Sequence, residues 1–161
     1  GDDTEAKIRL LYLECKRNLA LLDCIAEKIG GNIESKDSDL LSIAALIETD
    51  ILEMIFMEGE GNNKFLDAIS KKVGLEVQND DQCGGENEMV SGKKRKTVIQ
   101  WAMFIYISVS VLKKLNTSKG SIQALKNIQY GKRLSNIKIA YIGIVKSLGK
   151  IESVKKLRFE S

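Results

Sequence analysis

The sequence predicts an all-α protein, an antiparallel four-helix-type bundle with one additional short helix, in a single domain over residues 1–161. Three observations carry this expectation. Apolar residues recur every three or four positions along four stretches. No proline occurs in 161 residues, so no ring interrupts a helix interior. Alternation with period two, the mark of a half-buried strand, is convincing only over 105–111, and that run has no second one to pair with.

The first helix is expected over 4–29. Ile8, Leu11, Tyr12, Cys15, Leu19, Leu22, Ala26 and Ile29 form its core stripe, and Gly30-Gly31-Asn32 is a stop signal. A second stripe of Leu10, Leu21 and Ile25 implies neighbours on two sides. The second helix is expected to start after Asp37-Ser38-Asp39, a cap with acids at the positive helix end, and to run to Glu58. A short helix follows over 64–73, with Phe65, Leu66, Ile69 and Val73 inward.

Residues 74–96 are polar and turn-rich, and Lys93-Lys94-Arg95-Lys96 closes them. They are expected to form a long mobile loop, with Leu75-Glu76-Val77 as a short extended piece. The longest apolar run, 98–112, falls short of the roughly 20 residues a bilayer requires, and lysines flank both its ends. It reads as a buried helix, continuing to 115, with no membrane insertion. The last helix begins near Ser121. From Tyr130 its apolar spacing is regular through Leu134, Ile137, Tyr141, Ile144, Leu148 and Ile151, a heptad-like seam that Gly131 is placed to bend or split. Trp101, Ile105 and Leu112 are expected to join that seam in the core. Beside it run Asn136, Ala140, Gly143 and Ser147, small enough in the main to admit another backbone closely.

Composition excludes several chemistries. With no histidine, the commonest general base and metal ligand is missing, and Ser-His-Asp and Cys-His triads cannot form within one chain. Cys15 and Cys24 lie nine residues apart on one helix, about 13 Å along its axis, too far to bridge. Three cysteines without a CxxC spacing suit a reducing compartment, and a cytoplasmic location is expected. Gly84-Gly85 lacks the Gly-Lys-Ser/Thr of a phosphate loop. Glu48, Asp50 and Glu53 are expected on the second helix. No matching acidic pair stands elsewhere to share a metal with them, so they read as a solvated face.

Two clusters remain as candidate sites. Glu14, Arg17 and Asn18, three and four residues apart, share one helix face and need polar partners if buried. Lys132, Arg133 and Lys138 form a candidate basic surface. The charge is strongly divided: residues 1–92 carry nine Lys or Arg against twenty Asp or Glu, whereas residues 93–161 carry sixteen against two. Either the halves attract each other or the basic half meets an acidic partner, and the first is favoured because no base-stacking platform is visible.

The expectation is therefore a non-catalytic interaction or regulatory module with no cofactor, pairing with itself as a homodimer or with another protein rather than with nucleic acid. A nucleic-acid-binding accessory that uses the basic last helix is the alternative. A metal-dependent nucleotide hydrolase is a weaker one.

Overall fold

In a computed structural model, the structure describes residues 2–25, 45–57, 65, 69, 77–78, 95–96, 98–116 and 129–157. The protein is an all-α, antiparallel four-helix-type bundle with an additional short helix. Its described elements are α1 (Asp2–Cys24), α2 (Asp50–Met57), β1 (Val77–Gln78), β2 (Arg95–Lys96), α3 (Val98–Asn116), α4 (Tyr130–Leu148) and α5 (Glu152–Lys155). Helix α4 is the centre: α1 and α3 both pack along it. Helix α2 bridges α1 and α3, and α5 rests on α1.

The core follows the expected spacing. Trp101, Ile105, Leu112, Leu134, Ile137, Tyr141, Ile144 and Leu148 are all buried, as are Ile8, Leu11, Cys15 and Leu22 on α1. Phe65 and Ile69, expected to face inward, are buried too. Leu66 and Val73 lie outside the described residues. The run 105–111 is helical, so the length of the apolar stretch outweighs its local strand-like alternation.

Helix ends depart from expectation at four places. Helix α1 closes at Cys24 rather than at Ile29, and the Ile25 N–H donates to the Leu22 carbonyl at 3.1 Å in a tightened last turn. No cation stands in that last turn, where one would complement the dipole, and Asp23 does the opposite.

Helix α2 does not extend back toward Asp37-Ser38-Asp39 as one unbroken helix. Ala45 and Leu46 form a turn, and Ile47, Glu48 and Thr49 are irregular. Thr49 is the cap residue, since its carbonyl accepts the Glu53 N–H at 2.8 Å. Asp50 and Glu53 then place two acids at the positive end of the helix. Glu48 stands ahead of α2 rather than on it.

On α4, Gly131 does not split the described helix, which begins at Tyr130. Gln129 adopts a left-handed φ of 55°, a conformation that costs a residue with a Cβ about 1 kcal/mol, and Gly131 lies buried in the first turn. The expected start near Ser121 lies outside the described residues. At its other end, α4 stops at Leu148. Gly149 caps it, Ile151 is extended, and α5 follows as one turn that buries Val154.

Helix α3 is not buried on all sides. Val98, Trp101, Ala102, Ile105, Val109 and Leu112 face the core, but Met103, Ile107 and Val111 are 43%, 53% and 43% exposed. A helix turns 100° per residue, so a mostly apolar one covered along one side leaves an apolar stripe outside, here between exposed Gln100 and Lys114. Over Val98–Leu115 the mean hydropathy is 1.4, and a third of the window is buried; by length and composition alone it meets the requirement for a membrane span.

The small-residue stripe on α4 is already occupied. Ala140, Gly143 and Ser147 are buried within the chain, and Asn136 is half-buried. The extended piece expected near Val77 is β1, antiparallel to β2 with Val77 opposite Lys96 and Gln78 opposite Arg95, and β1 touches α4. The rest of the segment expected to be mobile, 74–76 and 79–94, lies outside the described residues.

Candidate functional site

Glu14, Arg17 and Asn18 come together as their spacing on α1 requires: Arg17 and Asn18 meet Glu48 in the irregular stretch that leads into α2, and Glu14 meets the first turn of α2 itself. Glu14 is 7% exposed and Asn18 is fully buried. The Glu14 carboxylate accepts the Ile51 N–H at 2.8 Å through Oε1 and the Leu52 N–H at 3.3 Å through Oε2. With Thr49 as the cap, these are donors of the first turn of α2 that no carbonyl within the helix can satisfy. A side chain of one helix thus caps another.

Asn18 makes three hydrogen bonds in the same place, using both its donors. Its Nδ2 donates to the Glu48 carbonyl at 2.6 Å and to the Tyr141 hydroxyl at 2.9 Å, and its Oδ1 accepts the Glu48 N–H at 3.2 Å. It therefore clasps the backbone before α2 to α4. Arg17 reaches the Glu48 carboxylate at 3.1 Å, with both side chains about half exposed. Such a pair contributes roughly 0–1 kcal/mol.

Burial is the main force on the titrating groups here. It raises the pKa of Glu14 despite the two backbone N–H bonds, which act to lower it. The nearby Asp50 carboxylate raises it further, and Arg17 pulls it down. Burial also pushes the Tyr141 phenol well up, with a further push from Cys15, against the Asn18 bond, which lowers it. The Cys15 thiol is likewise pushed up by burial and by Glu14, so it is held as a thiol rather than a nucleophilic thiolate. Both Glu14 oxygens are already engaged with backbone, and the cluster is built to hold three elements together.

The basic surface is divided. Lys132 and Arg133 are exposed on the first turn of α4. Lys138 is turned toward α1 instead, with its Nζ 3.0 Å from Asp23 Oδ1. That contact joins the acidic and basic parts of the sequence within the fold, and it offsets the unfavourable charge at the end of α1. Glu48, Asp50 and Glu53 are exposed. Among the described residues, no group of three His, Cys, Asp or Glu is arranged to hold a metal ion.

Two features escaped the sequence reading. One is the outward face of α3, where only Gln100 and Lys114, at its two ends, mark the solvent side and the positions between them, Met103, Ile107 and Val111, are apolar. The other is the Asn18–Tyr141 bond, since Tyr141 fits the core seam by spacing alone. No known protein family, curated protein or solved structure matches this chain.

Proposed function

We propose that the protein is a non-catalytic helical interaction module that associates with a second copy of itself through the outward face of α3. The observation that carries this reading is the stripe of Met103, Ile107 and Val111. These residues stand four apart on one face and are each more than 40% exposed. Ile107 is at the centre with one large apolar residue four positions to either side. Such a stripe is self-complementary about a twofold axis through Ile107, with Met103 of each copy opposite Val111 of the other. Closed twofold pairs are the commonest homo-oligomers.

The polar cluster supports the non-catalytic part of the reading, because its groups are committed to capping and clasping. The free thiols of Cys15 and Cys24 suit a reducing, cytoplasmic setting. The buried face of α3, with Trp101 and Ile105 in the core, favours a helix of a folded bundle over an inserted one. Sedimentation equilibrium of the wild type and of Ile107→Glu tests the proposal. A concentration-dependent dimer that Ile107→Glu abolishes supports it, and a wild type that stays monomeric at high concentration overturns it.

The second reading, a nucleic-acid-binding accessory, draws on exposed Lys132 and Arg133. Engagement of Lys138 by Asp23 weakens it, because that cation is already paired within the fold. Oligonucleotide binding that falls steeply with salt and is lost on reversing Lys132 and Arg133 would favour this reading over the first.

A further inference from the structure

An open cleft of about 500 Å³ lies where the break after α4 returns the chain to α1, lined by Glu5, Arg9, Lys150, Ile151, Glu152, Ser153 and Lys156. Its position follows from the early stop of α4. Gly149 and the extended Ile151 turn the chain, and α5 packs on α1 so that Lys150 and Lys156 come round to the side that carries Arg9. Among the described residues, none of these three cations makes an ion pair. Three positive charges around one concavity repel each other, and the concavity focuses their field. An anion seated between them relieves that repulsion.

The walls also restrict which anion fits. Glu5 and Glu152 put two carboxylates beside the three cations, which disfavours a run of phosphates and suits a single one. Carboxylates accept hydrogen bonds from hydroxyl groups. Ser153, on the same wall, has a buried Oγ with no hydrogen-bond partner among the described residues. The volume lies within the usual range of about 300–1,000 Å³ for small-molecule sites.

We propose that this cleft binds a small phosphate monoester that carries hydroxyl groups. Arg9, Lys150 and Lys156 hold the phosphate, Ser153 donates to one of its oxygens, and the Glu152 carboxylate accepts from a ligand hydroxyl. The site is remote in role from the face of α3, and its existence does not depend on self-association.

The test is an amide NMR titration of the full chain with ribose 5-phosphate, inorganic phosphate and ribose. Ribose 5-phosphate is expected to cause saturable shifts over residues 150–156, inorganic phosphate to bind the same amides more weakly, and ribose alone to leave them unmoved. Arg9→Gln and Lys150→Gln should each weaken ribose 5-phosphate roughly tenfold, the scale of a charge-assisted hydrogen bond. Lys156→Gln, at an exposed position, gives the same reading should Arg9→Gln fail to fold. Lys132→Gln, outside the cleft, should change nothing. Absence of saturable shifts overturns the proposal, and so does equal weakening by Lys132→Gln, which marks general charge attraction. Affinity for ribose 5-phosphate no higher than for inorganic phosphate overturns the role given to the hydroxyl groups.

Discussion

Glu14 of α1 binds the Ile51 N–H of α2 at 2.8 Å, so the start of one helix is fixed by a carboxylate from another. Removing that carboxylate strands two backbone donors, those of Ile51 and Leu52, in a largely buried place. Glu14→Ala is expected to cost about 1–3 kcal/mol in a denaturant titration, and Glu14→Gln less, since an amide oxygen still accepts one bond. Near-wild-type stability for Glu14→Ala would show that water satisfies the start of α2 without help.

The same residue gives a pH dependence of definite sign. Burial raises the pKa of Glu14 in the folded protein above its ordinary value. Between those two values the native state binds more protons than the unfolded one, so this group's contribution to stability falls as pH rises through that window and then levels off. Other carboxylates act on the absolute curve, so the useful quantity is the difference between wild type and Glu14→Gln. Denaturation midpoints across the acid range are expected to show the wild type losing ground to Glu14→Gln as pH rises. A wild type that gains ground instead would mean that the two backbone bonds outweigh burial.

Asn18 and Tyr141 form the link from the segment before α2 to α4. Tyr141→Phe removes one of three Asn18 hydrogen bonds and is expected to cost about 1 kcal/mol. Asn18→Ala also abandons both Glu48 backbone groups, and it should cost about 2–4 kcal/mol once the lost bonds and desolvated partners combine. The double variant should cost less than the sum, because both changes delete the same contact. Strict additivity would argue that the 2.9 Å contact contributes nothing.

The charge division of the sequence is met, where it can be followed, by a modest contact. Lys138 and Asp23 are 3.0 Å apart, with the lysine about a quarter exposed and the aspartate more than half. Lys138→Ala is expected to destabilise by no more than about 1 kcal/mol, and the difference from wild type should shrink as salt is added. A loss of several kcal/mol that persists in high salt would place this pair among the main supports of the fold.

Legibility in the sequence divides along physical lines. The seam from Leu134 to Leu148 was readable because every member obeys one helical period and all are apolar. The partnership of Glu14 and Asn18 with backbone was readable only as a need, since spacing puts them on one face but says nothing of what faces them. The break over 45–49 was hidden by apolar residues that fit a helix by pattern. Its cause is non-local, a cap supplied from α1. The exposed side of α3 was marked only by Gln100 and Lys114 at its ends, and the apolar residues between them match the core face in character.

Disulfide trapping at position 107 tests the central claim, that α3 presents the working face of this protein, most directly. In a background with Cys24 and Cys83 replaced by serine, Ile107→Cys should form a reducible dimer under mild oxidation, because twofold pairing brings the two copies of that position together. Lys132→Cys, exposed but away from the stripe, should remain monomeric under the same conditions. An Ile107→Cys chain that stays monomeric, or that cross-links no faster than Lys132→Cys, would contradict the account.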